Sequence, residues 1–140
     1  VARTRLPIVV ELRAMLLVVA ARSLLKMRPT TVVLRMLARR RATLAPGAVE
    51  PLRALAAVRR AGRLAGGDCL PQSVALAAML RRQGAEPVLV LGCRRLGPQE
   101  WGAHAWVELN GARLEPLEAP DHTELARLTP AADWEISPAG

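Results

Sequence analysis

Phenylalanine and tyrosine are absent from this 140-residue chain, and Trp101, Trp106 and Trp134 are all it holds of the large aromatics. Its interior therefore has to be assembled from Leu, Val, Ala and Met, a mixture led by the best helix formers. A basic sheet with stacking aromatics is missing, as is a helix-turn-helix glycine pattern, so nucleic-acid recognition lacks its usual signature. Cysteine is equally scarce. Cys69 and Cys93 are the only two, and neither belongs to a CxxC pair. That excludes a disulfide framework and leaves too few ligands for a structural zinc site, so neither a metal nor another cofactor is expected. Long apolar runs are missing too. Ala14–Ala21 is closed off by Arg13 and Arg22, far short of the roughly 20 residues a membrane span needs, and it lacks the cleavage context of a signal peptide. A core helix in a cytoplasmic protein is the expectation, with weak, reversible contact with a membrane surface left open.

What the chain does hold is arginine. The formal charge is +8 with Lys26 as the single lysine. The arginines punctuate apolar stretches at Arg13, Arg22, Arg35, Arg53 and Arg81–Arg82 rather than forming one block, as the solvated faces of amphipathic helices do. Arg39–Arg41 reads as a solvated helix end.

The length suits one domain over 1–140, with a helical part (1–65), a central core (66–117) and a tail (118–140). Four helices are expected: Ile8–Met27, ended by Pro29; Val32–Ala42, capped by Thr30 or Thr31; Val49–Leu64, with Pro51 in its first turn; and a fourth opening at Cys69 behind Gly66-Gly67-Asp68 and closing at Gly84. Beyond Gly84 the apolar period falls towards two. Pro87–Cys93 reads as a buried strand and Arg94–Gln99 as a loop. Ala103–Leu109, Asn110-Gly111 and Ala112–Leu117 read as a hairpin, because Asn-Gly is the favoured type I′ turn. The tail carries Pro120, Pro130 and Pro138, and a helical turn is expected near Thr123–Leu128. The fold class is α+β: N-terminal helices, then a helix headed by Cys69 packed on a small antiparallel sheet.

Cys69 is the residue that points to chemistry. A thiol at a helix N-terminus meets unpaired N–H groups and the positive end of the helix dipole, both of which favour the thiolate. His104, in the following strand, supplies the base a thiol nucleophile needs. The two-residue turn sets Leu109 opposite Ala112, Glu108 opposite Arg113, Val107 opposite Leu114 and Trp106 opposite Glu115. His104, Trp106 and Glu115 then share one face, with Glu115 diagonal to His104 and within reach of it. Glu115 is thus the candidate to orient the base, and Asp121 is its competitor if the tail folds back. The Cys69 backbone N–H is a candidate oxyanion donor. Gln72, one turn along, and Trp106 are further oxyanion or substrate-binding candidates. Each also has a plainer reading, since free Cys is common in cores and a His between alanines can be a satisfied buried residue. Cys93, in an apolar strand, reads as inert core. His122 reads as solvated, and Glu108 as structural or substrate-binding.

The stretches Cys69-Leu-Pro-Gln-Ser-Val-Ala-Leu, Leu80-Arg-Arg-Gln-Gly84 and His104-Ala-Trp-Val-Glu-Leu-Asn-Gly111 resemble the stand-alone leader peptidase of lasso-peptide biosynthesis, the transglutaminase-like protease half of the lasso B protein. The strongest likeness runs from Cys69 to Glu115, and the apolar, Arg-rich helices ahead of it are also usual there. The resemblance implies a papain/transglutaminase-like core and a bacterial cysteine protease with Cys69 as nucleophile and His104 as base. It implies a ribosomally made precursor peptide as substrate and an ATP-dependent lasso cyclase that takes the freed core; the small size of the chain, with its helices assigned to its own core, predicts a separate leader-recognition protein. Two other classes stay open: an acyl-transferase of transglutaminase type, and a non-enzymatic adaptor or membrane-surface protein.

Overall fold

The structure is a computed structural model that describes residues 8–39, 49–66, 68–114 and 122–138. Four helices come first: α1 (Ile8–Leu25), α2 (Thr30–Leu37), α3 (Pro51–Ala65) and α4 (Cys69–Arg82). Five strands follow: β1 (Val88–Gly97), β2 (Glu100–Leu109), β3 (Ala112–Arg113), β4 (Thr123–Leu128) and β5 (Ile136–Pro138). They form one antiparallel sheet in the order β3-β2-β1-β4-β5. The α+β class expected from the sequence is the class observed.

The fold is built around α4. Eight consecutive residues, Ser73 to Leu80, are buried, so this helix is enclosed on every side, as an all-round apolar helix must be. Ala75, Ala77 and Ala78 make that possible, because small side chains let neighbours approach closely. Helices α1, α2 and α3 contact α4, and the sheet contacts it through β1 and β2. Between helices and sheet lie Leu76, Leu80, Leu89, Ala105, Val107 and Leu128, with Trp134 beside them. Helix α1 buries Val10, Ala14, Leu17, Val18 and Ala21. Its other side leaves Ile8, Leu12, Leu16 and Val19 exposed. Among the described residues no helix is long and apolar enough to cross a membrane.

The arginines tie elements together as well as coating them. Arg22 donates to the Ala65 carbonyl at the end of α3, and Arg82 to the Leu37 carbonyl at the end of α2, 2.8 Å away. Cations at helix C-termini satisfy orphan carbonyls and complement the dipole. Arg35 bonds the Asp133 carbonyl at 2.9 Å, and Arg60 pairs with Glu11 across α3 and α1 at 2.9 Å. These pairs are largely exposed, so each contributes little energy; their value is in orientation.

Several elements differ from the sequence reading. Helix α2 starts earlier, with Pro29 rather than a threonine in the cap position, because proline's restricted φ suits the entry to a helix. Strand β1 runs on through Arg94–Gly97, the stretch read as a loop, since β2 pairs with it from Glu100 and only Pro98 and Gln99 turn between them. The hairpin register is as read: Glu108 opposes Arg113 and Leu109 opposes Ala112, and both turn residues have positive φ, as a type I′ turn requires. Thr123–Leu128 is a strand, not a helical turn. Leu125 and Leu128 are three apart, as on a helix, but a register shift opposite Leu91 and Gly92 makes Leu125 the extra residue of a bulge. Leu128 is then fully buried while Leu125 stays 55% exposed. Leu128→Ala should therefore cost about 2–5 kcal/mol. Leu125→Ala should fall within about 0.5 kcal/mol of the parent, both by urea unfolding; equal costs would contradict the bulged strand.

Candidate active site

Cys69 is the first residue of α4, and Asp68 holds the cap position with extended backbone but makes no side-chain capping bond. The expected cap thus acts through its backbone alone, and its carboxylate does not occupy the N–H groups around Cys69. One turn on, the Ser73 hydroxyl is buried and donates to the Ala105 carbonyl of β2 at 3.0 Å. Cys69 lies four residues before Ser73, and His104 is the residue before Ala105. This one hydrogen bond therefore registers the head of the helix against the strand that carries the histidine.

Cys69 and His104 both line a cleft of about 160 Å³. It is bounded by Leu55, Val58 and Arg59 of α3, by Cys69, Gln72, Ser73 and Leu76 of α4, by His104–Val107 of β2, and by Leu114. Four consecutive strand residues can line one cleft only along a strand's edge, because neighbouring side chains point to opposite faces. The cleft thus runs along β2 beside the two-residue β3. Strand alternation turns His104, Trp106 and Glu108 to the face away from the helices, while Ala105 and Val107 join the core. The edge is what lets His104 share a cleft with Cys69. Both are half-buried, accessible to a substrate while screened from bulk water on one side.

Gln72 lines the same cleft, with its side chain laid against α3. A Cβ at Gly62 would collide with its carboxamide, so the glycine makes room for it. Trp106 is buried, and its indole N–H donates to the Glu108 carboxylate at 3.2 Å. As an oxyanion donor it is thus already engaged, and its ring serves as a wall. That ring fits over Gly92, where a Cβ would lie 2.6 Å from it. Glu108 also accepts from Arg127 at 2.9 Å, which engages its carboxylate within the sheet. Arg127 bonds Glu124 as well, at 2.7 Å. The Glu108 hydrogen bond holds the Arg127 guanidinium above its ordinary pKa, against the opposing effect of burial, and the charges of Glu108 and Glu124 add to it.

Glu115 and Asp121, the two candidates for the third position, lie outside the described residues, although the Leu114 N–H bonds the Val107 carbonyl at 2.8 Å and carries the expected register up to that point. Cys93 is half-buried rather than core, paired with Ala103 and Thr123 on β1. His122, read as solvated, is also half-buried. Its ring stacks on His104 with centroids 4.5 Å apart. Ser73 and His122 are the site features the sequence reading missed. Ser73 could have been found from its place one turn after Cys69; no pattern in Pro120-Asp-His-Thr123 signals a stacked imidazole. Among the described residues no group of three His, Cys, Asp or Glu could hold a metal ion.

An enclosed helix headed by a thiol, packed on an antiparallel sheet with a histidine lining the same cleft, brings together the residue types that thiol-based acyl transfer uses. A family model described as the transglutaminase-like superfamily matches residues 14–131, and the chain belongs to that superfamily, which includes cysteine peptidases and transglutaminases. No curated protein and no solved structure matches the chain.

Two outcomes follow from this geometry. Ser73→Ala leaves the buried Ala105 carbonyl without this donor and should cost about 1–3 kcal/mol in urea unfolding. Iodoacetamide, followed by peptide mass mapping, should modify Cys69 faster than Cys93, since only Cys69 sits at a helix N-terminus; a faster Cys93 would misplace the nucleophile.

Proposed function

We propose that this chain is a cysteine peptidase that removes the leader from a ribosomally made lasso-peptide precursor in the bacterial cytoplasm. The observation that carries the reading is the single cleft shared by Cys69, at the head of α4, and His104, at the edge of β2. Superfamily membership and the Cys-Leu-Pro-Gln-Ser and His-Ala-Trp-Val-Glu stretches support it.

In this reading the Cys69 thiolate attacks the carbonyl carbon of the leader–core peptide bond. The tetrahedral oxyanion is met by the Cys69 backbone N–H, one of the orphan donors of the helix end. Gln72 is the second candidate donor. His104 protonates the leaving core amine, the C–N bond breaks, and the leader stays on Cys69 as a thioester. His104 then takes a proton from water, hydroxide equivalent adds to the thioester, and the leader leaves as a free acid with the thiol restored. Glu115 orients His104 by accepting an imidazole N–H. The freed core amine passes to an ATP-dependent cyclase that closes the lactam. A cleft of this size holds only a few residues around the cut bond, so a separate protein grips the leader. Its contact surface is the Arg-rich helical half, where Ile8, Leu12, Leu16 and Val19 form an exposed apolar stripe on α1. Transfer of the same thioester to an amine is the second reading, favoured by the other activity found in the superfamily; it would yield an amide in place of the free acid.

Cys69→Ala should abolish cleavage of precursor in the presence of the helper while preserving the circular dichroism spectrum, whereas Cys93→Ala should cut at about the parent rate. Residual cleavage by Cys69→Ala, or an amine adduct as the main product by mass spectrometry, would overturn the peptidase reading. Glu115→Gln keeps an acceptor and should lose less single-turnover rate than Glu115→Ala. An unaffected Glu115→Ala beside an inactive Asp121→Ala would move the third role to Asp121.

A further inference from the structure

His104 does not stand alone on its face of the sheet. His122, just ahead of β4, lies over it with ring centroids 4.5 Å apart and planes within 25°. Trp106 flanks both, at 6.0 Å from His104 and 5.8 Å from His122. Arg113 of β3 closes the group. Its guanidinium carbon sits 4.1 Å above the Trp106 ring, and its Nη2 is 3.2 Å from His122 Nδ1. A guanidinium can only donate, so in that contact His122 Nδ1 takes the accepting role. Arg113 thereby tethers the second imidazole. What His104 meets is a ring face held from a different strand.

We propose that His122 is a positioning residue for His104. Resting on the assignment of His104 as the base, its stacked ring holds the imidazole plane so that one nitrogen stays aimed at Cys69 through both proton transfers. The terminal torsion of a histidine is broad, and a ring stacked against one side of its plane narrows it. The ring stack does the positioning, and the Arg113 bond keeps the ring in place.

Two substitutions separate the ring from its hydrogen bond. His122→Phe keeps an aromatic plane and loses the acceptor; His122→Gln keeps an acceptor for Arg113 and loses the plane. With p-nitrophenyl acetate as acyl donor, His122→Gln should lower the acylation rate of Cys69 about tenfold, with the half-saturating concentration changed less than about twofold. His122→Phe should keep at least about half of the parent rate. The His104 ring-proton resonances should lose their stacking-induced shift in His122→Gln and keep one in His122→Phe, a readout that a purely structural role would not divide this way. A parental rate in His122→Gln beside an inactive His104→Ala overturns the proposal, as does a deficit in His122→Phe matching that of His122→Gln. A fully active His104→Ala would instead overturn the assignment of the base itself.

Discussion

The site depends on the hydrogen bond from the Ser73 hydroxyl to the Ala105 carbonyl, 3.0 Å long and buried between α4 and β2. Ser73 is the one polar residue among the buried side chains described. Apolar packing alone is non-directional and would let a helix slide against a sheet at little cost. A buried hydroxyl that must find its acceptor forbids that, because an unmade bond there costs more than a made one contributes. Cys69 is one turn, about 6 Å, along the helix from that anchor, and His104 is one residue along the strand. Cys69 and His104 thus take their registration from the bond that Ser73 makes.

The two faces of the sheet serve different ends. Ala105, Val107, Leu89 and Leu128 close the core against the helices. On the other face Glu108 joins the Trp106 indole to Arg127, and Arg113 covers Trp106 and reaches His122. His104 belongs to this polar, aromatic face and meets the cleft only at the strand edge. The His104 ring is held among π surfaces without being sealed in the core. The +8 balance, which in a sequence suggests a polyanion, is partly used inside the fold, with Arg22 and Arg82 ending helices and Arg113 and Arg127 bracing the sheet.

Much of this was legible in the sequence for local reasons. Gly66-Gly67-Asp68 marks where α4 begins, and Asn110-Gly111 sets the hairpin register that turns His104, Trp106 and Glu108 to one face. What was not legible came from contacts distant in sequence. The strand at Thr123–Leu128 was hidden because its bulge spaces two leucines as a helix would. His122 was hidden because its stacking partner is 18 positions earlier, on a strand two places across the sheet. Cys93 read as core from its apolar neighbours, yet on β1 it is only half-buried. The site is thus half local, in the head of α4, and half tertiary, in what the sheet assembles around His104.

The most direct test of the account is intact-mass spectrometry of the full chain, acid-quenched at intervals after mixing with a peptide thioester. The account predicts a transient adduct of one acyl group, removed by hydroxylamine, that maps to Cys69 and decays to free acid. In His104→Ala its formation should slow by orders of magnitude, while the same trace for Ser73→Ala should lie between the two. An adduct on Cys93, or one on Cys69 that forms and decays at the same rate without His104, would contradict a thiol and a histidine acting together in that cleft.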